Sequence, residues 1–142
     1  MIQLCTTEAE FDDCYAVLRE LYTDLSHEQF KTRVANMTCN GYKIALLRAG
    51  NTPVCYCGFV TGENFSCGKY LYLCELITIA EYRSRGYGEQ LLDWLIHYAR
   101  EMHIETMHLD SPVTRHQAHK FYMTHSFVQA AYHFELRLSE AR

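Results

Sequence analysis

The sequence predicts an α/β domain in which helices pack on a mixed sheet. Three observations lead there. Residues 42–48 and 54–61 are β-rich runs separated by the turn Ala49-Gly50-Asn51, which makes a hairpin. A third run, 70–79, is followed by a helix and then by a run at 104–109, and strand–helix–strand order favours a parallel pair with a right-handed crossover. The helix itself is strongly patterned. Leu91, Leu92, Leu95, Tyr98, Ala99 and Met102 form one stripe, with Asp93, His97, Arg100 and Glu101 opposite.

The remaining elements follow from local signals. Residues 2–6 form a short strand. Thr7 caps the next helix, with Glu10 three residues on as in a capping box, and Phe11, Cys14, Val17, Leu18 and Leu21 recur at helical spacing. A second helix starts at Ser26, carries Phe30, Val34 and Met37 on one face, and closes at Asn40-Gly41. Residues 62–68 read as a loop. After Asp110-Ser111-Pro112 breaks the chain, 114–124 is helical and 132–138 is a final strand. No repeat or linker interrupts residues 1–142, so a single domain is expected.

Composition narrows the function. The 142 residues carry a formal net charge of −4, which argues against a nucleic-acid partner, since that binding needs clustered Lys and Arg. Seven cysteines, an odd number with no CxxC pair, read as buried thiols of a reducing cytosol. Cys55 and Cys57 share one strand face. The N-terminus lacks a basic segment followed by an apolar run, and no apolar stretch spans a bilayer, so neither export nor a membrane is expected.

The chemistry concentrates in residues 83–88, Arg-Ser-Arg-Gly-Tyr-Gly, which join a strand end to a helix start. Helix-start N–H groups lack intrahelical partners and the helix dipole adds partial positive charge, so this is an anion cradle. Gly86 and Gly88 admit a phosphate close to the backbone, and Arg83 and Arg85 add charge. A Walker loop would need a Lys-Ser/Thr that does not follow, and a dinucleotide fingerprint would need a third glycine where Leu91 stands.

The loop resembles the [Gln/Arg]-x-x-Gly-x-[Gly/Ala] signature of the GNAT acetyltransferase superfamily, matched by Arg83, Gly86 and Gly88. A second signature of that family, Asn-x-x-Ala-x-x-Φ-Tyr-x-x-x-Gly-Phe, is matched at Ala118, Phe121, Tyr122 and Phe127, while Arg115 replaces the Asn and Ser126 the Gly. The resemblance covers nearly the whole chain. It implies a mostly antiparallel mixed sheet with a central parallel pair and helices on both faces. It also implies an enzyme that moves an acetyl group from acetyl-CoA to a primary amine, of a small molecule or a peptide N-terminus, within a ternary complex. The backbone of Leu76, Ile77 and Thr78 would pair with the pantetheine arm. Arg83, Ser84, Arg85, Gly86, Tyr87, Gly88, Glu89 and Gln90 would hold the pyrophosphate. Relatives commonly dimerise, and the final strand would support a homodimer here.

Acetyl transfer needs a neutral amine, a stabilised oxyanion and a protonated leaving thiolate. Tyr122 matches the family tyrosine near the coenzyme sulfur and is the general-acid candidate. Glu75 is the base candidate, because alternation places it in a row with Leu71, Leu73, Ile77 and Ile79, where burial raises a carboxyl pKa. A bulge, common in this strand of the family, would shift that row. His116 and His119 lie one helical turn apart, but no further ligand is fixed by spacing and this chemistry needs no metal. Tyr22, Asp24 and Glu28, between the first two helices, border the expected acceptor side. Two other readings share the glycine loop: a non-catalytic acetyl-CoA sensor acting on a partner protein, and a nucleotide-binding domain.

Overall fold

The computed structural model describes residues 1–139, which fall into two compact units divided after Leu109. The first unit holds β1 (Ile2–Leu4), α1 (Glu8–Leu18), α2 (His27–Cys39), β2 (Lys43–Ala49), β3 (Thr52–Asn64), β4 (Gly68–Thr78), a 3-10 turn (Ala80–Tyr82), α3 (Tyr87–Glu101) and β5 (Thr106–His108). The sheet order is β1-β2-β3-β4-β5. All neighbours run antiparallel except β4 and β5, which form the expected parallel pair. The fold is a mixed, mostly antiparallel α/β sheet with its parallel pair at the β5 end.

Local chemistry sets these bounds. Glu10 accepts from the Thr7 N–H at 2.9 Å while Thr7 Oγ1 accepts from the Glu10 N–H at 3.2 Å, completing the capping box of α1. Ser26 and Gln29 repeat the arrangement at α2, at 2.9 and 3.1 Å. Gly41 has φ 100° and Gly50 φ 63°, left-handed positions that end α2 and turn the β2–β3 hairpin. Pairing between β3 and β4 continues to Asn64 and Gly68, so the loop expected at 62–68 shrinks to three residues.

Each sheet face is covered by different helices. Cys14, Val17 and Leu18 of α1 and Phe30 and Val34 of α2 pack with Ile44, Leu46, Tyr56 and Ile77. Register places Ile44 opposite Gly58 and Leu46 opposite Tyr56, so these residues share that face. The other face carries Phe59, Leu71 and Leu73, with Leu91, Leu92, Leu95 and Ala99 of α3 buried and Tyr98 edge-on to Phe59 at 5.4 Å. Cys55 and Cys57 are buried on this second face, opposite Leu47 and Ala45.

The second unit contains α4 (His116–Thr124). The strand expected at 132–138 does not form, and this part of the chain pairs with no strand. Tyr132, Phe134, Leu136 and Leu138 alternate as a strand would, but they are 82–91% exposed. Alternation marks a strand only where a neighbouring ladder takes up the backbone groups.

Candidate active site

The end of β4 and the start of α3 build the site. Gly58 pairs with Glu75 but Phe59 pairs with Leu73, so Cys74 is an extra residue in β4, a bulge. This corrects the expected row for Glu75. Leu71 and Leu73 face α3, opposite Thr61 and Phe59. Beyond the bulge Glu75 and Ile77 lie opposite Gly58 and Tyr56, on the α1–α2 face. Glu75 still sits among apolar neighbours, but on the other side of the sheet from Leu71 and Leu73.

There it meets a group of three tyrosines. The Tyr42 hydroxyl donates to Glu75 Oε1 and lies 2.6 Å from the Tyr56 hydroxyl. Tyr22 also hydrogen-bonds Glu75. Burial pushes the Glu75 carboxyl above the usual carboxylate range, and the bonds from Tyr42 and Tyr22 pull partly the other way. Burial, aided by neighbouring Tyr56 and Glu75, pushes the Tyr42 phenol far above its ordinary value, so it remains a donor. Gly58 makes room for this cluster, since a Cβ there would run into Tyr42 Oη and Glu75 Oε1. Tyr42, Tyr56 and Gly58 are not in the sequence-derived site. The glycine inside a strand is the one signal that points to them, because such a glycine marks a close approach.

Past the short β5, β4 also has an open edge. The β4–β5 ladder covers only Tyr70–Tyr72, so beyond it β4 has no strand on that side within residues 1–109. The Ile79 N–H bonds Val54 O across β3 at 2.9 Å. Alternation therefore points the backbone groups of Ile77 toward β3 and those of Leu76 and Thr78 toward the free edge. Thr78 O is taken there by Arg83 Nε at 3.0 Å, and Thr78 Oγ1 lies 3.2 Å from Cys55 Sγ.

Four residues further on the chain enters α3. Ser84 has φ 61°, and Gly86, the N-cap, has φ 86°. A Cβ at Gly86 would touch nothing within 4 Å, so backbone conformation rather than space requires glycine here. The first helical bond runs from the Gln90 N–H to Gly86 O at 3.0 Å, so the N–H groups of Tyr87, Gly88 and Glu89 precede the intrahelical ladder. Arg83, Ser84, Arg85, Glu89 and Gln90 are exposed, and Tyr87 and Gly88 half-buried. The Arg85 guanidinium lies 4.9 Å over the Tyr82 ring, whose centroid is 6.0 Å from that of Tyr87. The loop joins strand to helix with the guanidinium groups of Arg83 and Arg85 on it.

Tyr122, in the second unit, is half-buried on α4, its ring 5.4 Å from Phe121 and 5.6 Å from Phe127. The two departures from the expected motif have a visible local consequence. Arg115 is the N-cap of α4 and makes no side-chain cap bond, as an Asn can. Ser126 has φ 72°, a position that favours glycine. The His116 and His119 rings meet edge-on at 5.9 Å, and His119 Nε2 bonds Pro112 O at 2.8 Å.

Residues 6–127 match the acetyltransferase (GNAT) family. The chain belongs to that family. A relative described as an uncharacterized N-acetyltransferase, YhdJ of Bacillus subtilis (strain 168), is 30% identical over 118 residues, 82% of this chain and 83% of its own. Two solved structures share the GNAT fold. A probable acetyltransferase superposes with a TM-score of 0.83 at 21% identity, covering 99% of each chain. The aminoglycoside N-acetyltransferase AAC(6')-Iy in complex with CoA superposes with a TM-score of 0.82 at 10% identity, covering 96% of this chain and 94% of its own. The chain is thus an acetyltransferase by family. Among the described residues no helix is long and apolar enough to cross a membrane.

Proposed function

We propose that this acetyltransferase takes the acetyl group from acetyl-CoA and passes it directly to a primary amine in a ternary complex. The observation that carries this reading is the left-handed Gly86 at the start of α3, three residues after Arg83, which bonds back to Thr78 O. The helix-start N–H groups with Arg83, Ser84 and Arg85 suit a pyrophosphate. The free edge of β4 at Leu76 and Thr78 suits an amide-bearing pantetheine arm, which would add to the sheet like a strand. The coenzyme supplies a thioester, whose carbonyl accepts a nucleophile.

Glu75 accepts a proton from the ammonium form of the acceptor, and its raised pKa suits it to hold that proton. The freed nitrogen lone pair forms the C–N bond, the C–S bond breaks, the Tyr122 phenol protonates the leaving sulfur, and the second proton, shed by the new amide nitrogen, returns Tyr122 to its neutral form by way of solvent. Tyr122 takes this role from its place in the family motif.

The test is turnover. The protein is incubated with acetyl-CoA and a panel of polyamines, aminoglycosides, amino acids and peptides while free thiol is followed. Acceptor-dependent thiol release is expected, and Tyr122→Phe should lower kcat about 100-fold. Saturable coenzyme binding with no thiol release on any amine, together with a stable partner in pull-down, would instead favour a sensor. Stabilisation by ATP or NAD but not by CoA in a thermal-shift comparison would overturn the coenzyme assignment.

A further inference from the structure

Glu75, Tyr42, Tyr56 and Gly58 form one cluster that the GNAT motifs do not name, and its geometry is one-sided. Tyr56 is 1% exposed and Tyr42 5%, whereas Tyr22, which also bonds Glu75, is 44% exposed. Each phenol has a single proton. Tyr42 gives its proton to Glu75 Oε1, so the bond between the two hydroxyls must be donated by Tyr56. The chain of hydrogen bonds therefore runs from the core outward and ends on the carboxylate. Tyr56 lies at the buried end, so the chain cannot deliver a proton to solvent. What it can do is fix the carboxylate and favour its charged form.

We propose that Tyr42, backed by Tyr56, is the positioning residue for Glu75, and that the acceptor amine reaches Glu75 from the Tyr22 side. The proposal rests on the reading of Glu75 as the base. Fixing is needed because Glu75 follows a bulge, where a strand is least constrained by its ladder. Gly58 is the complementary half of the device, since its missing side chain is the space in which the Tyr42 hydroxyl and the carboxylate meet. The titratable groups around Glu75 are phenols and thiols: Tyr22 beyond α1, Tyr42 before β2, Tyr56 and Cys57 of β3, and Cys74 beside it, with Cys14 of α1 next to Tyr56. Tyr42 and Tyr22 donate to the carboxylate and so favour its charge.

The experiment compares Tyr42→Phe with the wild type by two readouts. The first is the pH profile of kcat/KM, with Glu75→Gln as the control that identifies the limb belonging to Glu75. The second is the titration of the Glu75 carboxyl in the free protein by 13C NMR, which needs no turnover. Losing a donor to the charged form should move the limb and the titration about one pH unit upward. Activity should then fall about tenfold on the acid side and recover above the displaced limb. A loss of activity equal at every pH, with the Glu75 titration unmoved, would overturn the proposal and leave Tyr42 a packing residue. If Glu75→Gln keeps the wild-type limb, the base reading fails. The NMR titration then still decides whether Tyr42 holds the carboxylate. Should the unpaired Tyr56 hydroxyl prevent folding, Tyr42→Phe with Tyr56→Phe removes it and gives the same two readouts. Gly58→Ala is expected to displace the titration in the same direction.

Discussion

Gly86 offers the sharpest test of the coenzyme loop, because its conformation and its surroundings separate two effects that are usually mixed. Its φ of 86° is a left-handed value, yet a Cβ there would meet no atom within 4 Å. Replacing it with Ala therefore adds no collision, and the cost is the backbone alone, about 1–2 kcal/mol. That cost can emerge in either of two measurements. If the loop keeps its shape, the folded state is destabilised by the full amount and CoA affinity is unchanged. If the loop relaxes in the free protein, stability is restored, but the coenzyme must re-form the loop on binding. A cost of 1–2 kcal/mol then raises Kd by about 5–30-fold. The two losses, from urea unfolding and from calorimetric titration with CoA, should sum to that range whatever the division. Asn, which tolerates the left-handed region, should show a smaller sum than Ala, and Val a larger one. Unchanged stability together with unchanged CoA affinity in both Gly86→Ala and Gly86→Val would refute the reasoning.

Two further predictions concern stability. Ser126 sits at φ 72°, so Ser126→Gly should raise unfolding free energy by about 1 kcal/mol in urea melts, and a decrease would mean that its side chain stabilises more than the strain costs. Glu75 has a folded pKa above its unfolded value, so its contribution to stability is full below the unfolded value, about 4.3, and is lost as pH rises through the folded value. Glu75→Gln keeps an acceptor for Tyr42 but cannot ionise. Its stability relative to wild type should therefore grow with pH above about 4.3, and a difference constant from pH 4 to 8 would contradict the burial argument.

How far the sequence discloses this protein depends on the range over which each feature is decided. The α1 and α2 starts, the hairpin and the α3 stripe are settled by contacts within a few residues, and all are legible: Thr7 with Glu10, Ser26 at its helix start, Gly50 in its turn, Leu91 to Ala99 on one face. The strand-to-helix glycine loop is legible for the same reason. The residues 132–138 carry a strand's alternation but lack a ladder, and local pattern cannot supply the partner.

The side on which Glu75 lies is the instructive intermediate. Simple alternation puts it with Leu71 and Leu73, and one inserted residue, Cys74, moves it to the opposite face. Nothing in the composition of residues 70–79 marks the insertion, because Cys74 and Glu75 would fit a regular strand equally well. The information lies in the neighbouring strand. Gly58 leaves the gap, and Tyr42 and Tyr56 come close enough to bond only once the register is known. A half-buried carboxylate needs donors, so asking which residues could satisfy Glu75 narrows the search to polar side chains on adjacent strands. That question, put to the sequence with β2, β3 and β4 paired in either of two registers, leads to the tyrosines when Gly58 is allowed to face Glu75. The bulge that hides Glu75 from simple alternation lies just past the end of the β4–β5 ladder at Tyr72, and beyond it the backbone groups of Leu76 and Thr78 point away from β3, so both halves of the proposed site adjoin one local irregularity.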